Sequence, residues 1–162
     1  MALTGYVSGQ VIQSVPTRGN MKVDRFTADG TWTVPAGVTY AVAHIRAGGG
    51  GVAATSGAGG TSSVAFAGGT ISATGGAAMT ANADSGGATR GNAGAANSGN
   101  GAKAQYQTDA GYQLQGQDGA YVVAGGDVTP AASITVTVGA GGTAGTNGFA
   151  GGSGYVWIEY LA

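Results

Sequence analysis

The sequence has no cysteine and few charged residues. Its 162 residues include no Cys, and only 8% are Asp, Glu, Lys or Arg. Missing thiols exclude a disulfide framework, thiol chemistry and a Cys-based metal site. The formal net charge of −1 is unlike the basic surface that nucleic-acid binding requires, and no charged tail suggests a solvating disordered chain. We therefore expect no nucleic-acid partner.

Long apolar runs are also missing. No window approaches the ~18 apolar residues of a membrane helix, and the start, MALTGYVSGQV, lacks the basic and apolar regions of a signal peptide. We expect no membrane insertion, and synthesis in the cytoplasm without a signal peptide.

Candidate catalytic and metal-binding groups are sparse. His44 is the single histidine and lies within a strand pattern, so we interpret it as a structural residue of a sheet. Five of the seven acidic residues lie within two positions of a Gly, which is ordinary turn chemistry. We expect no enzymatic activity, no catalytic residue, no cofactor and no metal. A glycosidase pair and a Ca²⁺ site using Asp109 or Asp118 stay open as alternatives.

Glycine is the abundant residue, with 35 copies. The stretch Gly139–Gly154 repeats it with a period of three, which is neither helical nor strand-like and belongs to the left-handed threefold helix. A Gly edge lets another backbone pair directly with the helix. We predict ordered helices of the polyglycine II type, with a flexible loop as the alternative. The structural triplet positions are Gly139, Gly142, Gly145, Gly148, Gly151 and Gly154.

Alternation elsewhere predicts strands. The clearest are Val38–Ala47, Ser133–Val138 and Tyr155–Leu161. Val38–Ala47 is apolar on both faces, which predicts a central strand covered on both sides. Gly125–Asp127 is interpreted as a turn. The predicted fold is all-β: an antiparallel, jelly-roll-like β-sandwich with negligible α-helix, whose first and last strands pair.

The chain divides into two parts. Residues 1–20 form a predicted N-terminal docking arm, with a frayed terminus as the alternative. Residues 21–162 form the sandwich domain, with Gly-rich insertions at 48–101 and 139–154.

One segment breaks the Gly-rich composition. Gln105–Tyr121 is rich in Tyr and Gln, and Tyr rings offer flat apolar area with a polar tip at low entropic cost. We predict a recognition segment for sugar or peptide; the alternative is that its rings pack on the sandwich. The candidate binding residues are Tyr106, Gln107, Asp109, Tyr112, Gln113 and Gln115.

A longer pattern spans both ends of the domain. Phe26–Gly51 reads FTADGTWTVPAGVTYAVAHIRAGGGG, and Ile134–Gly142 and Gly154–Tyr160 supply a Gly-terminated strand and a final strand. This pattern resembles a recurrent glycine-rich domain of tailed bacteriophages, found in tail fibres, tail tips and receptor-binding proteins. The resemblance covers roughly Val23–Leu161, with an unmatched middle.

The resemblance implies a virion protein of the tail or baseplate tip. It implies attachment to a host-surface receptor, a glycan or a protein, through loops on the Gly-rich scaffold. Its expected partners are other tail or baseplate proteins and further copies of itself, with a trimer favoured. A purely structural subunit that joins or caps tail components is the alternative.

Overall fold

The computed structural model describes residues 19–53, 55–80, 88–106, 113–146 and 148–162. Residues 1–18 of the predicted docking arm lie outside this set. The described residues form strands and contain no helix, and therefore no helix of the length and apolarity that a membrane span needs. The strands are β1 Met21–Phe26, β2 Gly30–Thr33, β3 Tyr40–Arg46, β4 Val52–Ala53, β5 Ser62–Phe66, β6 Gly69–Ala73, β7 Met79–Thr80, β8 Ala88–Asn92, β9 Lys103–Tyr106, β10 Gln113–Gln115, β11 Tyr121–Asp127, β12 Ser133–Thr137 and β13 Tyr155–Leu161.

Two antiparallel four-stranded sheets form the main body. The first sheet has the order β1-β13-β3-β11 and the second sheet the order β2-β12-β5-β6. Alternate side chains of both sheets meet in one apolar core, as expected when strands present one face inward. The prediction of an all-β fold without helix is confirmed for the described residues. A three-stranded antiparallel sheet, β10-β9-β8, and a parallel pair, β4-β7, complete the strands.

The first and last strands pair, as the sequence predicts. β1 and β13 run antiparallel in continuous register, from Met21 opposite Leu161 to Phe26 opposite Val156. β13 also pairs with β3. The two ends of the domain therefore close its first sheet together.

A shared carboxylate links the sheets at one edge of the core. Asp24 of β1 accepts hydrogen bonds from the Trp32 indole of the second sheet, at 2.8 Å, and from the Tyr160 hydroxyl, at 3.0 Å. Burial and this bond to Asp24 raise the pKa of Tyr160 above its ordinary value of 10.0. The phenol is thus held as a neutral donor.

The prediction that β3 is covered on both faces is wrong. β3 is central, but only one of its faces is covered: Ala41, Ala43 and Ile45 are buried, whereas Tyr40 on the other face is 55% exposed. Apolar residues on both faces therefore do not mean two covering layers here. The outward face of β3 is instead part of a large exposed surface.

Gly125–Asp127 is strand, not turn. These residues continue β11 and pair with β3 down to Tyr40. A Cβ at Gly125 would overlap the Tyr40 hydroxyl, and one at Gly126 would lie 3.0 Å from the Phe66 ring. Side chains of β3 and β5 thus lie against these two glycines, and close approach of other groups is one setting in which Gly occurs within a sheet.

The run of four glycines after β3 lies at the centre of the Gly-rich segments. Its backbone groups form hydrogen bonds to several other segments of the chain. N–H groups three residues apart donate to the same neighbouring segment. Gly48 and Gly51 donate to Gly60 and Gly57, both at 3.0 Å. The other donations are Ala47 to Ala120, Gly49 to Gly152, Gly50 to Gln117 and Val52 to Phe149, and the acceptances are Gly48 from Gly76, Gly49 from Gly142, Gly50 from Ala102 and Gly51 from Met79.

Close neighbours on every side explain why four consecutive glycines are needed. A Cβ at any of the four positions would overlap a backbone carbonyl of another segment. Those carbonyls belong to Ala140, Asn100, Ala77 and Thr143. No residue of this run can carry a side chain without displacing a neighbouring segment of the same chain.

The outer run 139–154 contacts neighbours with only part of its circumference. Thr143 and Thr146, between triplet positions, are exposed. By contrast, a Cβ added at any triplet glycine would come closer than a normal contact to an atom of another segment. The facing residues are Gly60 for Gly139, Gly57 for Gly142, Thr55 for Gly145, Val52 for Gly148, Gly49 for Gly151 and Arg46 for Gly154.

Substitution of Gly49 tests this packing. Gly49→Ala should lower the free energy of unfolding by about 3 kcal/mol, the upper part of the range for overpacking, because the facing atoms are the Asn100 carbonyl rather than a flexible side chain. Gly68→Ala is the matched control, since nothing lies within 4 Å of its Cβ, and should change that value by less than about 0.5 kcal/mol. Urea unfolding measures both. Equal effects at the two positions would contradict the packing.

Candidate functional site

The outer face of the first sheet exposes most of the large apolar side chains that the described residues leave uncovered. Met79 is the one large exposed hydrophobic of this set that lies elsewhere. The six on the outer face are Met21, Val23, Tyr40, Tyr121, Val123 and Leu161, with exposures of 45–64%. Concentrated apolar exposure on one face is typical of a binding surface.

An aromatic cluster, defined as His44, Tyr121, Tyr155 and Trp157, occupies one end of this face. Tyr155 and Trp157 are two residues apart on β13 and therefore share a face; their rings stack with centroids 5.2 Å apart and an interplanar angle of 5°. His44 lies opposite Trp157 on β3 and stacks on it at 4.8 Å. Strand register alone thus assembles the cluster.

Both nitrogens of His44 are engaged. Nδ1 lies 2.7 Å from the Tyr121 hydroxyl, and Nε2 lies 3.4 Å from a Glu159 carboxylate oxygen. With the proton on Nε2, the ring donates toward Glu159 and accepts from Tyr121. These two contacts hold the imidazole ring in a fixed orientation beside Trp157.

Polar contacts connect the cluster's end of the sheet to the Gly-rich segments. Arg46, next along the outward row of β3, pairs with Asp118 at 3.3 Å, and Asp118 accepts from the Gly101 N–H at 2.8 Å. The buried Ser62 donates a hydrogen bond to the Arg46 carbonyl and accepts one from the Gly139 N–H, both at 2.8 Å. The Gly-rich segments therefore hold this end of the outer face in place.

An aliphatic groove occupies the opposite end of the face. Its volume is about 400 Å³, and Met21, Tyr40, Val42 and Leu161 supply its apolar lining. The volume lies in the range of small-molecule sites. The two ends of the outer face therefore differ: stacked rings dominate one, whereas aliphatic side chains together with Tyr40, Tyr160 and Glu159 line the other.

The structure covers the predicted recognition segment in part. Tyr106 ends β9 and Gln113 begins β10, and these strands pair with Gln113 opposite Gln105. Gln115 is exposed on β10. The remaining candidates, Gln107, Asp109 and Tyr112, lie outside the described residues. The segment's role in binding stays a prediction.

Sequence reasoning did not single out the outer face. Alternation groups Tyr155, Trp157 and Glu159 on one side of the last strand, but it does not say whether that side is covered. Alternation also places His44 and Arg46 on the same side of β3 as Tyr40. Two polar residues on that side were the signal that it faces solvent.

The chemistry of the face suits binding. Within the ranges that the structure describes, no three His, Cys, Asp or Glu side chains gather as metal ligands would. Stacked rings, a groove and flanking charges are the usual components of recognition surfaces.

Comparison with family models, with curated proteins and with solved structures finds no match to this chain.

Titration of Tyr121 tests the electrostatics of the aromatic cluster. Partial burial, followed by the neighbouring Tyr155 and Glu159, raises the pKa of Tyr121 above 10.0. Glu159→Gln should lower that pKa, because a neutral amide no longer opposes the phenolate. Asp127→Asn, which removes a charge from the same strand as Tyr121, should leave it unchanged. Ultraviolet titration, with Tyr121→Phe to assign the signal, measures the shift; equal effects of the two substitutions would contradict the assigned contacts.

Proposed function

We propose that this protein is a recognition protein of a bacteriophage tail or baseplate tip, which attaches to the host surface. The observation that carries the proposal is the exposed outer face, held by a scaffold of backbone contacts. The phage setting comes from the sequence pattern. Three features of the molecule support a recognition role in that setting.

Strand order is the first support. The eight strands of the two main sheets are lettered B to I in chain order, so that β1, β2, β3, β5, β6, β11, β12 and β13 become B, C, D, E, F, G, H and I. The first sheet then has the order B-I-D-G and the second the order C-H-E-F. This is the arrangement of a jelly roll, an architecture of viral capsid and lectin domains. We therefore assign the sandwich to the jelly rolls.

The Gly-rich scaffold is the second support. We assign its segments to threefold helices of the polyglycine II type, with 47–52 as the central one. The three-residue recurrence of hydrogen-bond partners fits three residues per turn and a backbone with no internal bonds. Such a bundle would be a rigid mount for loops and for the sheet edge.

The residues of the phage-like pattern are the third support. Gly37 adopts a φ of 82°, which favours glycine, and the Val38 N–H bonds to the Pro35 carbonyl at 3.2 Å. The pattern FTADGTWTVPAG thus encodes β2 and its flanking turns, and the polyglycine run encodes the bundle centre. The resemblance therefore covers the scaffold and also the strands that carry His44, Tyr155 and Trp157.

The second candidate function, a structural tail subunit, is favoured by the aliphatic groove. A groove lined by Met21, Val42 and Leu161 could seat an apolar segment of a neighbouring tail protein. Both functions could share one chain, with one end of the outer face for assembly and the other for attachment.

Cell binding tests the proposal. The full chain fused to a fluorescent protein should label cells of the phage's host and slow adsorption of the phage, whereas a resistant strain should stay unlabelled. Absence of labelling, together with co-assembly of the chain with tail proteins, would contradict attachment and favour the structural subunit.

Two variants then locate the contact. Tyr106→Ala/Tyr112→Ala tests the predicted recognition segment, and Trp157→Ala tests the aromatic cluster; Thr70→Ala, exposed on the second sheet, is the control. Urea unfolding of each variant separates lost contact from lost fold.

A further inference from the structure

We propose that a cleft beside Trp157 binds a single sugar ring carrying a carboxylate or phosphate group. The inference deepens the proposed attachment function and rests on it for its biological setting. The binding chemistry itself can be tested with isolated sugars.

The cleft is small and combines residues from three parts of the chain. Its volume is about 170 Å³, and it is lined by Arg25, Thr27, Asn97, Tyr155 and Trp157. Sites for drug-sized ligands span about 300–1,000 Å³, so this cleft suits one ring. Convergence of β1, β13 and the 96–99 turn makes it more than a gap between neighbouring side chains.

Two parallel rings form the apolar wall. Tyr155 and Trp157 are held 5° from parallel, and His44 stacks on Trp157 at 26°. The parts of the ring faces that this mutual stacking leaves free carry negative potential, which attracts the polarised C–H groups on the flat side of a sugar ring. Because the rings already support one another, little side-chain entropy is lost on binding.

A cation selects the charge of the ligand. The Arg25 guanidinium carbon lies 5.6 Å from the centroid of the Trp157 ring. The ion pairs found among the described residues involve His44 and Arg46, not Arg25, and no acidic residue lines the cleft. A guanidinium fork matches carboxylate and phosphate oxygens, so the preferred sugar is anionic.

Asn97 supplies a fixed polar wall. Its φ of 54° lies in the left-handed region, and its N–H donates to Ser153 Oγ at 3.0 Å. Ser153 Oγ in turn donates to Asn97 Oδ1 at 3.2 Å. The amide nitrogen, with its two donors, is then the group that Asn97 offers to a sugar hydroxyl, while the Thr27 hydroxyl can donate or accept.

The chain contains its own reference for the experiment. It has two Trp residues: Trp157 borders the cleft, whereas Trp32 is 3% exposed and its indole N–H is bound to Asp24. In a ¹H–¹⁵N spectrum, a ligand in the cleft should shift the indole signal of Trp157 and leave that of Trp32 in place.

The titration uses glucuronate, glucose 6-phosphate and glucose. At least one anionic sugar should move the Trp157 signal with a Kd on the order of 1 mM, which a ligand of this size reaches at ordinary efficiency per atom. Glucose should bind at least about tenfold more weakly, because it lacks the charge-assisted bonds to Arg25. Comparison of the two anionic sugars shows which group the site takes.

Matched variants assign the effect to the cleft. Arg25→Gln should weaken binding of the preferred sugar at least about tenfold. Lys22→Gln removes the same charge from the same strand outside the cleft and should leave binding unchanged. An unmoved Trp32 signal in both variants shows that the fold is intact.

Three results would overturn the proposal. They are no shift of Trp157 with either anionic sugar, equal binding of glucose, or equal binding of acetate or inorganic phosphate without a sugar ring. Host-cell labelling that persists under the first result would leave attachment standing and remove only this cleft.

Discussion

The structure depends on hydrogen bonds between backbones at the run Gly48–Gly51. These residues follow β3 directly, and each bonds to segments that are distant in sequence, including Gly60, Gly152 and Gln117. Ordering glycine costs about 0.5–1 kcal/mol more per residue than ordering Ala. Direct backbone pairing offsets that cost, since it satisfies polar groups that a buried loop would leave unpaired. The absence of side chains is what allows the segments to lie this close.

The same constraint positions the outer face. The outer Gly-rich run leads into β13, so Tyr155 and Trp157 emerge directly after the last triplet glycine. Asp118 joins the Gly-rich segments to the outward row of β3, because it pairs with Arg46 and accepts from the Gly101 N–H. The aromatic cluster therefore lies at the end of the sheet that contacts the Gly-rich segments, and the groove lies farther along the same strands.

Local pattern was sufficient for some elements and failed for others. Tyr155–Leu161 was predicted with its bounds because its alternation is clean, and pairing of the terminal strands followed from where the apolar blocks lie. The prediction of a turn at Gly125–Asp127 is wrong, since glycine occurs both where the backbone needs freedom and where other groups approach closely. The Tyr40 and Phe66 rings that approach here come from elsewhere in the chain. The outer face was missed because alternation fixes which residues share a side of a strand, while coverage of that side depends on tertiary packing. The binding roles of Tyr106, Gln113 and Gln115 remain predictions.

Native-state hydrogen exchange of the glycine amides tests the central claim most directly. If the backbone contacts of Gly48–Gly51 hold the domain together, their amides should exchange as slowly as that of the buried Ala43 in β3, because both would open only with global unfolding. The amide of Gly68, in an exposed turn, should exchange fast and serves as the internal comparison. Exchange of Gly48–Gly51 at the rate of Gly68, with Ala43 still protected, would show that the glycine run is a loose loop and would contradict this account.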